Sequence, residues 1–311
     1  MPTIAEILAR ELEKPLAHVQ NVINLLDEGN TIPFIARYRK ELHGSMDDTA
    51  LRTLEDRLNY LRNLAQRREE VKNAIDGQGK LTQELSAAID NAATLAEVED
   101  LYRPYKQKRR TRAMIAKEKG VQPLADAIFA QRRGDDPLAL AQAYVSEEKG
   151  VPDAQTAVQL AQDILAEQIS DDAAIRASLR ALCRRTGMLR AVAAKEGESV
   201  YAQYADYREP VLRAAGHRIL AINRGEREEW LKVAVECDDE QALQIICRAV
   251  IEPGSACCDV VRAAAKDAWG RLISPSLERE IRNELTDKAN EGAIRVFGDN
   301  LHQLLMQPPI R

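Results

Sequence analysis

Between Leu101 and Lys119 the chain sets eight Lys or Arg against a single Glu, a local net of +7. The densest part reads Leu101-Tyr102-Arg103-Pro104-Tyr105-Lys106-Gln107-Lys108-Arg109-Arg110-Thr111-Arg112. Cations this close together, beside two tyrosines, suit phosphate contacts with base stacking. Each neutralised phosphate releases counterions, so such binding weakens steeply with salt. The candidate contact residues are Lys106, Lys108, Arg109, Arg110 and Arg112. The same run could instead be a solvated turn that pairs with acidic helices, or it could meet an acidic protein surface. Charge alone does not choose between these. A second group is Arg37, Arg39 and Lys40, in Phe34-Ile35-Ala36-Arg37-Tyr38-Arg39-Lys40. On one continuous helix Arg37 and Lys40 lie a turn apart on the same side. Phe34 and Tyr38 would share another face, and the default expectation puts that face in the core.

Catalytic chemistry is hard to find. There is no GxxxxGK[ST], no GxGxxG after a strand, no GxSxG and no HExxH. The acid pairs Asp47/Asp48, Asp171/Asp172 and Asp238/Asp239 read as helix caps or solvated charge. None has a His or Lys spaced to make an acid–base pair. The five cysteines, Cys183, Cys237, Cys247, Cys257 and Cys258, contain no CxxC, and His18, His43, His217 and His302 are scattered. No metal site and no cofactor are expected, and the cysteines read as reduced, partly buried thiols in the cytoplasm. The expectation is a protein that is not an enzyme.

The chain must position these groups with helices. Its 311 residues are 45% hydrophobic and 30% charged but only 4% aromatic. That bias, with abundant Ala, Leu, Glu and Arg, favours helix over sheet. The net charge of −5 leaves −12 outside the basic run, so a nucleic-acid role has to be local. No apolar run approaches the roughly 20 residues of a membrane span. Met1 to Arg10 carries neither the basic nor the apolar region of a signal peptide. A cytoplasmic protein without membrane contact is expected, most simply a monomer.

The spacing predicts a mainly α fold, an elongated multi-helix bundle with one long strut helix and a small β insert. Ile4, Ile7, Leu8 and Leu12 mark a first helix, and Leu16 to Leu26 a second that stops near Gly29. Pro33 opens a third. Three short helices can be helix-turn-helix-like or a plain bundle. Ser45 with Asp48 resembles a capping box. A helix to about Asp76 follows, roughly 45 Å long at 1.5 Å per residue, with a seam of Leu51, Leu54, Leu58, Leu61 and Ala65. Gly77 and Gly79 break it. Thr82 and the pair Thr94/Glu97 start further helices, the last meeting Pro104; Pro123 and Pro137 start two more. Helices near Asp153–Ile169 and Asp172–Arg185 complete the first half. Leu231, Val233, Val235 and Cys237 alternate as a strand, with Met188–Ala193 as partner. From about Gln241 to Met306 the chain is helical again, with Leu285, Ala289, Ile294, Phe297, Leu301, Leu304 and Leu305 on its apolar faces, until Pro308 and Pro309. The regions expected are 1–76, 77–186, 187–240 and 241–311.

The stretch Asp27-Glu28-Gly29-Asn30-Thr31-Ile32-Pro33-Phe34-Ile35-Ala36-Arg37-Tyr38-Arg39-Lys40-Glu41 resembles the N-terminal signature of the Tex transcription accessory family. So do Glu99-Asp100-Leu101-Tyr102-Arg103-Pro104-Tyr105-Lys106 and Lys108-Arg109-Arg110-Thr111-Arg112. Further matches are Tyr207, Glu209-Pro210, His217-Arg218, Leu220-Ala221, Arg224-Gly225-Glu226, and Asn300-Leu301-His302 with Leu304-Leu305-Met306. The resemblance runs through essentially the whole chain. It implies a helix-turn-helix-like N-terminal portion in an elongated helical protein. In the family, a YqgF-type RNase H-like domain, a helix-hairpin-helix and an OB-fold RNA-binding domain follow such a region. This sequence stops at Arg311, before all three. The function implied is a scaffold that associates with RNA or DNA at low specificity and supports transcription, with RNA polymerase as a further partner. A purely structural scaffold is the alternative.

Overall fold

The computed structural model describes residues 2–307, and internal contacts divide the chain into two units, Met1–Tyr105 and Lys106–Arg311. The stop signal at Pro308 and Pro309 lies outside the described residues.

In the first unit, α1 (Ile4–Glu11) is opened by Thr3, whose hydroxyl accepts from the Glu6 N–H at 3.2 Å while the Glu6 carboxylate accepts from the Thr3 N–H at 2.7 Å. Helix α2 (Leu16–Asp27) ends before Gly29, which sits at φ +84°, a left-handed position that glycine adopts freely. Helix α3 (Ile32–Tyr38) carries Pro33 in its first turn. It does not continue to Lys40, because Arg39 departs to φ −129°, ψ 33° and a separate turn, α4 (Lys40–His43), follows. Arg37 and Lys40 therefore belong to different helices, not to one face of a single helix. Helix α5 (Asp48–Asp76) is 29 residues long.

The cap of α5 differs from expectation. Ser45 stands at φ +60°, outside the extended conformation an N-cap needs. Asp47 does the capping, accepting from the Ala50 N–H at 2.7 Å. The apolar seam also runs on past Ala65, to Val71 and Ile75. Leu51, Leu54, Leu58 and Leu61 pack with Leu8, Val22 and Ile35 in one core. Leu64, not Ala65, then begins a second core with Val71, Ile75, Ile89 and Val98. The long helix thus joins two cores within one unit. Helices α6 (Gln83–Asn91) and α7 (Leu95–Tyr102) cover the second core, capped by Thr82 and Thr94. The Glu97 carboxylate reaches the N–H of Ala93, not that of Thr94, so the second capping box is only half formed. A 3-10 turn, Arg103–Tyr105, ends α7 at Pro104, where a helical hydrogen bond is lost.

In the second unit come α8 (Arg112–Glu118), α9 (Gln122–Phe129), α10 (Pro137–Ala141), α11 (Ala154–Ser170) and α12 (Ala173–Thr186). Small residues let α11 pack closely: Ala157, Ala161 and Ala166 are fully buried. Strands β1 (Met188–Ala193), β2 (Asp206–Pro210) and β3 (Leu231–Glu236) form an antiparallel sheet in the order β2-β1-β3. The pairing of β1 with β3 was legible from period two; β2 was not. Its sequence Asp206-Tyr207-Arg208-Glu209-Pro210 carries little apolar alternation, and as an edge strand it tolerates Pro210. Helix α13 (Gly216–Arg227) precedes β3, followed by α14 (Asp239–Val250) and α15 (Cys258–Asp267). A π-helical segment, Ala268–Ile273, leads into α16 (Ser274–Leu305).

Helix α12 is tied to α16 by a ladder. Arg176 donates to Ser276 at 3.1 Å, Arg180 to Glu280 at 3.2 Å, and Arg184 to Glu284 at 3.1 Å. The constant offset in number means that the two helices run parallel. Leu277, Ile281 and Ala289 of α16 are buried, but the apolar residues beyond them are not: Ile294 is 72% and Phe297 69% exposed. Among the described residues no helix is long and apolar enough to cross a membrane.

The cysteines correct the sequence reading. Cys183 and Cys237 form a disulfide, with Cα atoms 5.4 Å apart. Their separation of 54 residues hid this. The β1–β3 register explains it: Met188 opposite Glu236 brings the last turn of α12 to the end of β3. Cys247, Cys257 and Cys258 are free. Reducing the bridge, or Cys183→Ser with Cys237→Ser, is expected to lower the unfolding free energy of the second unit by about 2–4 kcal/mol, through release of loop entropy in the unfolded chain. Urea unfolding followed by Trp230 and Trp269 fluorescence, with and without reductant, measures it.

Candidate nucleic-acid interface

The basic run starts on the first unit, where Tyr102 and Tyr105 fold back onto the core of Leu64, Val71 and Ile75. The Arg67 guanidinium covers the Tyr102 ring at 5.6 Å. These tyrosines are packing residues, not open stacking surfaces, because the turn at Pro104 points them inward.

The cations of the run have different fates. Lys108 is half-buried and donates to Glu167 at 2.6 Å and to Asp171, both at the C-terminal end of α11. The other Glu167 oxygen accepts from the Thr111 hydroxyl at 3.0 Å. Thr111 also caps α8, accepting from the Met114 N–H at 3.1 Å. One acidic helix end therefore grips the loop at two points, and Lys108 is neutralised inside the fold. Arg110 meets Glu118 at 3.2 Å, but both side chains are well exposed, so the pair is worth little. Arg112 is exposed at the first position of α8; burial raises the Asp163 carboxyl above the ordinary range, against the charges of Arg271 and then Arg112. Lys106 is exposed and has a partner in the fold. Arg109 is exposed and, among the described residues, enters no ion pair.

The second group is arranged differently. Within α3, Ile32 and Ile35 are 3% and 0% exposed, so they supply the core face. Phe34 and Tyr38 point the other way, at 36% and 58% exposed. Here the expectation of a buried aromatic face fails: a seven-residue helix cannot bury both faces, and the two isoleucines fill the space over α5. The two rings lie 5.2 Å apart, centre to centre, and the Arg39 guanidinium stands 5.5 Å over Phe34. Arg37, Arg39 and Lys40 are exposed, and among the described residues none forms an ion pair.

Among the described residues no three His, Cys, Asp or Glu side chains are grouped to hold a metal ion. Other residues of the family-like motifs hold the fold together. Arg218 of α13 donates to Glu209 at 2.6 Å and to the Tyr207 hydroxyl at 3.2 Å, tying that helix to β2. Burial, then the Glu209 carboxylate, raises the Tyr207 phenol above its ordinary range. At Gly225 a Cβ would come within 2.7 Å of Leu231, so only glycine lets α13 lie against β3.

Residues 2–76 match the Tex-like protein N-terminal domain, and residues 132–297 match the Tex central region-like family. The chain belongs to the Tex family. Relatives of this Tex chain include YdcI of Bacillus subtilis, 44% identical over 309 residues, covering 98% of this chain and 43% of that protein. The Transcriptional accessory protein Tex of Neisseria gonorrhoeae is 41% identical over 319 residues, covering 98% of this chain and 41% of its own length. Human S1 RNA-binding domain-containing protein 1 is 31% identical over 308 residues, covering 93% and 31% respectively. The Tex chain thus spans about two fifths of its bacterial relatives. Arg37, Arg39 and Lys40 fall inside the matched Tex-like N-terminal domain, and Lys106–Arg112 falls between the two matched regions.

Proposed function

We propose that this Tex-family chain is a non-catalytic scaffold of a transcription accessory protein that meets RNA or DNA through phosphate contacts of low sequence specificity. One observation carries the reading: Arg37, Arg39 and Lys40 stand exposed and without ion pairs among the described residues. Acids outnumber bases in this chain, 49 to 44. Arg57, Arg62, Lys72 and Arg184 are each taken up by a carboxylate. Three neighbouring cations left free in such a chain keep their charge available to a polyanion. Arg109, Arg110 and Arg112 form a second, weaker contact group on the other unit, with Lys106 beside them. Lys108 serves that group by fixing the loop. The relatives named a transcriptional accessory protein and an S1 RNA-binding domain-containing protein support a nucleic-acid partner. In the same reading α2 and α3 are the helix-turn-helix-like pair, RNA polymerase is a further partner, and the protein works as a monomer in the cytoplasm.

Fluorescence anisotropy with labelled RNA and DNA, repeated at salt concentrations from roughly 50 to 200 mM, tests this. Arg37→Ala/Arg39→Ala/Lys40→Ala is expected to reduce the slope of log K against log salt by about 2. Lys108→Ala is expected to leave that slope unchanged, since its charge is already neutralised. Unchanged affinity and slope in the triple variant would take the contact away from Arg37, Arg39 and Lys40, and no measurable binding by the parent chain would leave the purely structural reading, which the grip of Glu167 and Asp171 on Lys108 favours for the second unit.

A further inference from the structure

We propose that Phe34 and Tyr38 form a stacking step for unpaired bases, so that the ligand of the α3–α4 surface is single-stranded nucleic acid and not duplex. The inference rests on the phosphate-contact reading of Arg37, Arg39 and Lys40 and names the class of strand they would take.

The two rings are surplus to the fold. Ile32 and Ile35 fill the core beneath α3, and the aromatic side faces solvent. Phe34 keeps 36% and Tyr38 58% of its surface in solvent, and two adjacent ring faces flanked by cations suit a recognition surface. The rings are neighbours at 5.2 Å, tilted by 46°, so bases could engage them in succession. Arg39 extends the platform, because its planar guanidinium stacks over Phe34 at 5.5 Å and can also meet a phosphate. The break of the helix at Arg39 then carries Lys40 off the line of Arg37, so cations flank the aromatic step from two helices. Glu41, exposed next to Lys40, would repel a strand that strayed along α4.

The same geometry argues against duplex readout. A helix-turn-helix reads base edges with polar side chains at the start of its second helix. Here the second helix starts with Ile32, buried at 3% exposed, and Pro33, which has no N–H to offer. What α3 presents is π faces at its outer side and charge at its end. Every base has a π face, so recognition of this kind is tolerant of sequence. Duplex bases are already stacked on each other and cannot use the platform.

Anisotropy on the full chain decides it, using a labelled single-stranded RNA of about one to two site sizes, on the order of 16 nucleotides. Its duplex and an abasic strand of equal charge serve as the comparison probes. The single strand is expected to bind at least about tenfold more tightly than either. Phe34→Leu and Tyr38→Leu keep apolar bulk but remove the ring. Each is expected to weaken single-strand binding by about tenfold and to leave duplex and abasic binding, and the salt slope, unchanged. Equal binding of the abasic strand and the single strand, with a salt slope that Arg37→Ala/Arg39→Ala/Lys40→Ala reduces, overturns the stacking step and keeps the phosphate reading. Binding of all three probes that the triple variant does not alter overturns both. Circular dichroism melts matching the parent chain confirm that the leucine variants are folded.

Discussion

Ile35→Asp is expected to unfold the core of the first unit's N-terminal helices, whereas Tyr38→Asp is expected to leave it folded. The two positions are three residues apart on one short helix. Ile35 is fully buried against Leu51, Leu54 and Leu58, while Tyr38 is mostly in solvent. A carboxylate at 35 would have neither partner nor water, and such a change costs about 4 kcal/mol or more, by loss of packing and by burial of an unpaired charge. At 38 the new charge stays hydrated, and the cost should be within about 0.5 kcal/mol. Thermal melts by circular dichroism and limited proteolysis of 1–76 separate the two. Similar losses at both positions would mean that the aromatic side of α3 is also buried, and the proposed strand-binding surface would lose its basis.

Trp269→Ala is expected to be the most damaging single truncation in the second unit, at about 3–5 kcal/mol. Trp269 is 3% exposed within the π-helical segment, and its indole N–H donates to Asp239 at 2.7 Å, tying the start of α14 to the junction of α15 and α16. Removing the ring leaves a cavity among Ala264, Ala265 and Ile273 and takes a partner from a carboxylate. Trp269→Phe keeps most of the volume and loses the donor, so its cost should be about 1–3 kcal/mol. Urea midpoints followed by circular dichroism give both values. A cost for Trp269→Ala no larger than for Trp269→Phe would place the weight on the hydrogen bond and not on packing.

The helices were legible because their signals are local. Gly29, Pro33, Thr82, Asp153 and Asp172 act on their own neighbours, and the structure uses each as a start or stop. The first strand pair was legible because alternation is also local. What could not be read were choices between competing local signals, settled by tertiary packing. Ile32/Ile35 and Phe34/Tyr38 both offer an apolar face for α3, and only the groove over α5 decides which enters. Ser45 and Asp47 both offer a cap, and only the left-handed backbone at Ser45 removes the first. Cys183 and Cys237 are far apart in sequence until β1 finds β3. The basic run illustrates the same limit for function. Its charge is plain in the sequence, but the acids that spend Lys108 lie 59 and 63 residues further on. In the smaller group Arg37, Arg39 and Lys40 are all exposed, although the aromatic residues beside them had pointed to the core.

The ladder between α12 and α16 has a consequence for how the second unit finds its alignment. Its acceptors on α16 are Ser276, Glu280 and Glu284, and the next residue at the same spacing is Lys288. Sliding α16 by one turn in one direction would bring Arg184 against Lys288, cation to cation. Sliding it the other way would leave Arg180 facing only a serine and Arg176, almost wholly enclosed, facing Leu272. Greasy surfaces alone would tolerate such slippage, since leucines and alanines recur along both helices. The three arginines act as a vernier scale, on which only one setting brings every mark into coincidence.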